Sequence, residues 1–205
     1  MTGRDRSSTV HIVDDDEAVC SSLRLLLKSR GIPAVSHGSA EEFLAKYEPE
    51  QPGCLVLDVR MPGMSGLELQ EELNRRGAVI PVIFITGHGD VPMAVEAMQH
   101  GATDFLQKPF RDQDFTDRIQ QALAADHRNR ELLREKDAIR ARLASLSPRE
   151  MQVLRLVTLG KSNKVIAGDL GVSQRTVEIH RAHLMEKMAA SSLAQLVRMT
   201  MIGSE

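Results

Sequence analysis

The residues with the clearest chemical potential gather around one carboxylate. In CLVLDVRMPGMSG, residues 54–66, the apolar Leu55, Val56, Leu57 and Val59 bracket Asp58. A short apolar run bounded by Gly and Pro has the pattern of a buried parallel strand. Asp58 would then stand at its carboxyl end, the edge where open α/β sheets hold their ligands. Pro62, Gly63 and Gly66 mark a tight loop after it. An aspartate held this way can accept a phosphoryl group as an acyl phosphate. An isolated strand-end aspartate is more often a helix cap, so the assignment depends on its company. Asp14, Asp15 and Asp16 follow TVHIV, Thr86 follows PVIFI, and Lys108 follows DFLQ.

Five strand-like runs alternating with helical patterns must position these groups. TVHIV is the first strand, and Cys20, Leu23, Leu26 and Leu27 then recur at helical spacing until Gly31. Residues 32–36 form a short second strand, and Ser39 with Glu42 reads as a capping box for the helix carrying Phe43, Leu44 and Tyr47. The strand ending at Asp58 is third. A helix over 67–75, a strand over 81–85, a helix with Met93, Ala94, Ala97 and Met98, and a strand over 104–107 complete the series. The alternation implies right-handed crossovers and a doubly wound parallel sheet.

With all tips on one edge, Asp14, Asp15, Asp58, Thr86 and Lys108 come together. Crowded carboxylates call for a hard divalent cation, Mg²⁺. Asp15 and Asp58 are expected to bind it directly with the Arg60 backbone carbonyl and waters, Asp14 through a water, while Asp16 caps the first helix. Lys108 and the Thr86 hydroxyl would each hold a phosphoryl oxygen.

The 205 residues suffice for one large or two modest domains, and 42% hydrophobic with 26% charged residues is ordinary for a globular protein. Aromatics reach only 3%, so the cores must be aliphatic. The polar start carries no signal-peptide pattern and no apolar run approaches membrane-spanning length, which leads to the expectation of a cytoplasmic chain without a membrane partner. Cys20 and Cys54 read as buried thiols. Residues 1–124 carry 12 Lys/Arg against 19 Asp/Glu, residues 125–146 carry 6 against 4, and residues 147–205 carry 8 against 5. The acidic part suits a cation site and the mildly basic end a polyanion.

Between Gln113 and Pro148 there is neither Gly nor Pro, and good helix formers dominate. Leu132, Ile139, Leu143 and Leu146 are spaced like a coiled coil but span barely two heptads, so a solvated linker helix is expected, with a pairing seam as the alternative. Ser147, Pro148 and Glu150 open a new helix with a capping box, Leu146 and Met151 are placed as a staple, and Leu154 and Val157 are buried before Gly160. A short helix with Val165, Ile166 and Leu170 ends at Gly171, and Ser173 caps another to about Met188. This is the pattern of a helix-turn-helix. At about 100° per residue, Val177, His180, Leu184 and Met188 share the core stripe. Arg175, Thr176, Glu178, Ile179 and Ala182 are then placed for the major groove of double-stranded DNA. Lys161, Ser162, Lys164, Arg181 and Lys187 are placed to hold phosphates. Glu178 cannot bind phosphate but can accept from cytosine N4.

The Asp pair, LDVRMPGMSG, Thr86–Gly87 and Lys108–Pro109 resemble the receiver domain of two-component response regulators over residues 8–124. SPREMQVL, GKSNKVIAGDLGVS and RTVEIHRAHLMEKM resemble the LuxR/NarL-type DNA-binding domain over 145–205, joined by a helical linker over 125–144. Together they resemble the FixJ-type response regulators. The resemblance implies a five-stranded flavodoxin-like receiver plus an all-α four-helix helix-turn-helix domain. It also implies phosphate transfer from a FixL-like histidine kinase onto Asp58, Phe105 turning inward as Thr86 moves to the phosphate, and a cis Lys108–Pro109 peptide. The implied partners are promoter DNA, RNA polymerase and a second copy of the chain on phosphorylation. The pairing surfaces would be Val91, Pro92, Val95 and Gln99 with the fifth strand, and the last helix with Leu193, Leu196, Val197 and Thr200. The implied role is control of nitrogen-fixation or micro-oxic genes. Two other readings stay open. One is a phosphatase-like enzyme with Asp58 as nucleophile, against which stands Arg60 where a second acid is needed. The other is a constitutive DNA binder whose receiver only dimerises.

Overall fold

The computed structural model describes residues 8–87 and 91–204, with side chains except at positions 91, 92, 94 and 204. The chain divides into two compact units between Arg130 and Glu131. In the first, β1 (Thr9–Val13), β2 (Ala34–His37), β3 (Gly53–Asp58), β4 (Val82–Thr86) and β5 (Asp104–Gln107) pair in parallel in the order β2-β1-β3-β4-β5. The strands alternate with α1 (Glu17–Ser29), α2 (Ala40–Lys46), α3 (Gly66–Arg75) and α4 (Val91–Gln99), and α5 (Asp112–Ala144) follows.

All six residues of β3 are buried, as its unbroken apolar run requires of a central strand covered on both faces. Leu55 and Leu57 join Phe43, Leu69, Leu73 and Ala97 in one core. Cys54 and Val56 point the other way, into a core with Leu23, Leu27, Phe115 and Ile119. The period of two along the strand thus supplies both layers. Strand β2 begins two residues later than expected. Gly66 is the first residue of α3, and a Cβ there would collide with the Asp58 carbonyl, so the helix can start directly beside the strand tip only with glycine.

The expected Ser39–Glu42 capping box is half formed. Ser39 Oγ accepts from Glu42 N at 3.1 Å, but the Glu42 carboxylate accepts from Gly38 N and Lys46 Nζ instead. A complete box stands at Ser65 and Glu68, its serine in the expected loop and its glutamate in the expected helix. Of the expected pairing surface on α4, the Val91 and Pro92 side chains lie outside those described, while Val95 and Gln99 are exposed.

β1 and β2 also bury two imidazoles. His11 Nδ1 lies 3.2 Å from His37 Nε2, and Phe43 packs edge-on to both rings. Burial, then the charge of His37, pushes the His11 pKa from 6.5 down to about 4, and burial also lowers that of His37. A base whose folded pKa lies below its unfolded value takes up a proton on unfolding. Its contribution is therefore complete above pH 6.5 and is lost as pH falls through about 4. For His11 this is on the order of 2–3 kcal/mol. The receiver's urea midpoint is expected to fall between pH 7 and pH 4.5 by less in His11→Phe than in wild type; equal falls would remove His11 from the account.

The second unit comprises the end of α5, α6 (Pro148–Thr158), α7 (Asn163–Leu170), α8 (Gln174–Met188) and α9 (Leu193–Ser204) around one core. Ser147 and Glu150 complete both halves of the box at α6, and Gly171 takes the left-handed conformation (φ 66°) that ends α7. The solvated-linker reading fails at its far end, and so does the pairing seam. Ile139 is 2% exposed within this core, and Leu143 and Leu146 pack against it, whereas Leu132 is exposed. Leu196, expected on a pairing face of α9, is also fully buried in the core.

Candidate functional site

The parallel register brings the expected chemistry to one edge of the sheet. Asp58 ends β3 and Thr86 ends β4, while Asp14 and Lys108 follow β1 and β5 directly. Lys108 N donates to Thr86 O at 2.8 Å, and the Lys108–Pro109 peptide is cis. Lys108 Nζ donates to Asp14 Oδ2 at 2.9 Å and to Asp58 Oδ1 at 3.4 Å. The other Asp58 oxygen accepts from Arg60 N at 2.9 Å. Asp14 (3% exposed) and Asp58 (8%) are buried, as is Thr86. Phe105 is half-buried at the edge of the first core.

The expected crowd of three carboxylates resolves differently. Asp15 is exposed, and among the described residues no group of three or more His, Cys, Asp or Glu is arranged to hold a metal ion. What the edge holds is two buried acids bridged by an ammonium. Asp16 caps α1, accepting from Ala18 N at 2.8 Å, and donates its own N–H to Asp14 Oδ1. Burial raises the Asp58 pKa, against the Arg60 N–H and the Lys108 charge, which lower it. For Lys108, burial favours the neutral amine, but the bond and charge of Asp14 and then those of Asp58 outweigh it and the pKa rises. The site therefore keeps a cation facing a carboxylate whose own ionisation is opposed by burial.

The second site is one face of α8. Ser173 caps the helix, accepting from Thr176 N at 3.1 Å. Val177, Leu184 and Met188 are buried as expected, while His180 is only half-buried. Arg175, Glu178, Ile179 and Ala182 are exposed together. The Thr176 hydroxyl bonds Ser173 Oγ at 2.8 Å, so it serves the cap.

Of the residues expected to hold phosphates, Lys164 and Ser162 are exposed at the start of α7, and Ser162 makes no side-chain cap bond. Lys161 pairs with Asp169 at 2.7 Å, and Arg181 Nη1 donates to Asn163 Oδ1 at 2.8 Å, tying α8 to α7. Lys187 lies elsewhere. It donates to Glu150 at 2.7 Å and to Ser145 O at 3.4 Å, and with the Ser147 N–H it holds the Glu150 carboxyl down at about 2. A lysine so engaged closes the start of α6. Spacing alone could not separate it from Lys164, because both look like surface cations.

Polar ties that spacing does not announce steady α4. Gln70 Nε2 donates to Ala97 O and His100 O, and Asn74 Nδ2 to His100 O at 2.7 Å, closing the end of that helix. An amide in an amphipathic helix reads as solvent-facing, and only the neighbouring helix end shows otherwise.

Comparison with known proteins identifies the family of each unit. Residues 10–120 match the response regulator receiver domain, and residues 144–200 match the bacterial regulatory proteins of the luxR family. The transcriptional regulatory protein FixJ of Azorhizobium caulinodans is 52% identical over 200 residues, covering 96% of this chain and 93% of the relative. Nodulation protein W of Bradyrhizobium diazoefficiens is 49% identical, covering 93% and 84%. The solved structure of the response regulator StyR matches with a TM-score of 0.89 at 47% identity, covering 95% and 98%. No helix among the described residues is long and apolar enough to cross a membrane. The bridged acids at the strand tips and the exposed face of α8 thus belong to a two-component response regulator of the FixJ type, a transcriptional regulator built from a receiver and a LuxR-family DNA-binding domain.

Proposed function

We propose that this regulator accepts a phosphoryl group on Asp58 from the phospho-histidine of a histidine kinase and then binds promoter DNA as a dimer. The observation that carries the reading is the Lys108 ammonium held between the Asp14 and Asp58 carboxylates. The Arg60 N–H fixes one Asp58 oxygen and leaves the other facing Lys108. That oxygen attacks phosphorus as the P–N bond to the histidine breaks. Lys108 and the Thr86 hydroxyl then hold oxygens of the transferred group.

Mg²⁺ fits the donors present. Asp14, Asp58 and the Arg60 carbonyl are hard oxygens, and this ion takes one or two carboxylates while keeping several waters. When bound it offsets charge on the phosphoryl oxygens.

On the DNA side, Arg175, Glu178, Ile179 and Ala182 read bases, while Lys161, Ser162, Lys164 and Arg181 hold the backbone. Lys164→Ala is expected to reduce the salt dependence of binding by about one unit of log–log slope. Glu178→Gln is expected to shift the preferred base at one position, by about 1–3 kcal/mol. Gel shifts across a salt series on a panel of single-base variants would measure both. An unchanged preference in Glu178→Gln would take this residue out of the recognition face.

Dimerisation through the α4–β5 face is supported by Val95, 50% exposed, and Met98, 48% exposed, apolar side chains open on one helix. Light scattering and gel shifts with and without a small phosphodonor test the whole reading. Phosphorylation should raise both mass and DNA affinity, and Val95→Asp should blunt both. Equal affinity in the two states would leave a constitutive DNA binder. The wider role, control of nitrogen-fixation or micro-oxic genes with RNA polymerase beneath a FixL-like kinase, rests on the resemblance to FixJ.

A further inference from the structure

We infer that Asp126 and Arg130 form a register clasp that sets how α5 leaves the receiver, and that the phosphorylation response depends on it. The last receiver core residues on α5 are Phe115, Ile119 and Ala122, with Leu123 packed against them. One turn further on, where the sequence reads as a solvated charged helix, Asp126 is 1% exposed and Arg130 is 7% exposed. Arg130 Nε donates to both Asp126 oxygens at 2.8 and 2.9 Å, and its Nη1 donates to Pro49 O at 2.7 Å. Asp126 Oδ2 accepts from Gly53 N at 2.9 Å. Immediately after Arg130 the helix is exposed, including Leu132 and Leu133.

Gly53 opens β3, the strand that carries Asp58 at its other end. A Cβ on Gly53 would collide with the Thr9 carbonyl, so the strand starts hard against β1. Thr9 N takes the Pro52 carbonyl, whereas the Gly53 N–H is given to Asp126. A buried amide must find an acceptor, and here a helix supplies it to a sheet.

Stability alone does not account for a charged pair in this place. Desolvating both ions costs about as much as their attraction returns, and the Gly53 N–H needs an acceptor there but no charge. What the pair adds is selectivity. One residue of slip turns a helix by about 100° and would take both side chains off Gly53 N and Pro49 O together. Leu or Met there would tolerate the slip.

The second arm of the test rests on the phosphorylation reading above, and the first does not. In the full chain, Asp126→Asn is expected to raise amide exchange over residues 124–130 by at least about tenfold. Unchanged exchange would show that the pair holds nothing. The double variant Asp126→Asn/Arg130→Met, which keeps an acceptor for the Gly53 N–H, should stay folded and label at Asp58 at the wild-type rate, yet lose most of the gain in DNA affinity that a phosphodonor brings. A full gain in that variant would overturn the clasp and leave the pair as packing. If wild type itself shows no label, the phosphorylation reading fails while the exchange arm still decides the clasp.

Discussion

Replacing Asp58 with Asn is expected to abolish phosphoryl uptake, by at least about 100-fold, without unfolding the receiver. Incubated with a small phosphodonor and Mg²⁺, the wild-type chain should gain one phosphoryl group, and the Asp58→Asn chain none. An amide oxygen keeps the acceptor for the Arg60 N–H, so the loop at the strand tip retains its anchor. What disappears is the anionic nucleophile facing Lys108. Stability should move little or rise. Burial raises the Asp58 pKa, so the ionised carboxylate is the form the fold disfavours at neutral pH, and the amide removes that charge. Lys108 keeps Asp14 as its partner at 2.9 Å. Intact mass, peptide mapping and a thermal melt on both proteins measure all three effects. Equal labelling of the two chains would move the phosphoacceptor away from Asp58. A large drop in melting temperature would make the comparison one of folding, and Lys108→Ala then serves instead. It leaves Asp58 in place while removing the cation that faces the transferred group, so its uptake should also fall.

The second large effect concerns where the DNA-binding unit begins. A fragment of residues 131–205 is expected to fold and bind DNA, whereas residues 145–205 should be largely unfolded at 37 °C. The shorter fragment is the natural choice from sequence, and the match to the luxR family begins at residue 144. Yet Ile139 is 2% exposed in the core with Val153, Leu154 and Leu196, and Leu143 packs beside it. Gly203 on α9 lies so close that a Cβ there would come within 2.5 Å of Leu143 Cδ1 and 3.1 Å of Ile139 Cγ2. Arg142 also donates to Met188 O at the end of α8, at 3.3 Å. Cutting at 145 removes all of these. Losing a buried Ile to a void costs about 2–5 kcal/mol, and a domain of about 60 residues has little more than that in total. Ile139→Ala in the longer fragment isolates the effect, with an expected loss of about 2–5 kcal/mol. Circular dichroism melts and gel shifts on the three proteins test it. A 145–205 fragment that melts with the 131–205 one would show that the end of α5 is dispensable.

Much of this protein is legible in one dimension, and the reason is local. The strands of the receiver announce themselves by apolar runs bounded by Gly and Pro, and parallel pairing then forces their tips to one edge. Asp58, Thr86 and Lys108 could be placed together on that ground alone. Ser147, Pro148 and Glu150 mark the start of α6 because a capping box lies within four residues. The exposed face of α8 follows from 3.6-residue periodicity, which separates Val177, Leu184 and Met188 from Glu178 and Ile179 without any neighbour.

What the sequence leaves undetermined is which polar side chains are buried, because burial depends on partners distant in the chain. Asp14 and Asp15 are adjacent acids, yet only Asp14 turns inward to Lys108, 94 residues away. Lys164 and Lys187 look alike until Glu150 claims the second. Asp126 and Arg130 form an ordinary i,i+4 surface pair by spacing, and become a buried clasp only because Gly53 N, 73 residues earlier, needs an acceptor. Ile139 and Leu143 carry a pattern that solvent, a second helix or a core could equally satisfy, and the packing of α6 and α9 decides among them. Periodicity states which residues share a face. Only the assembled chain states what that face meets, since the free energy of a buried charge or methyl group is set by the atoms around it.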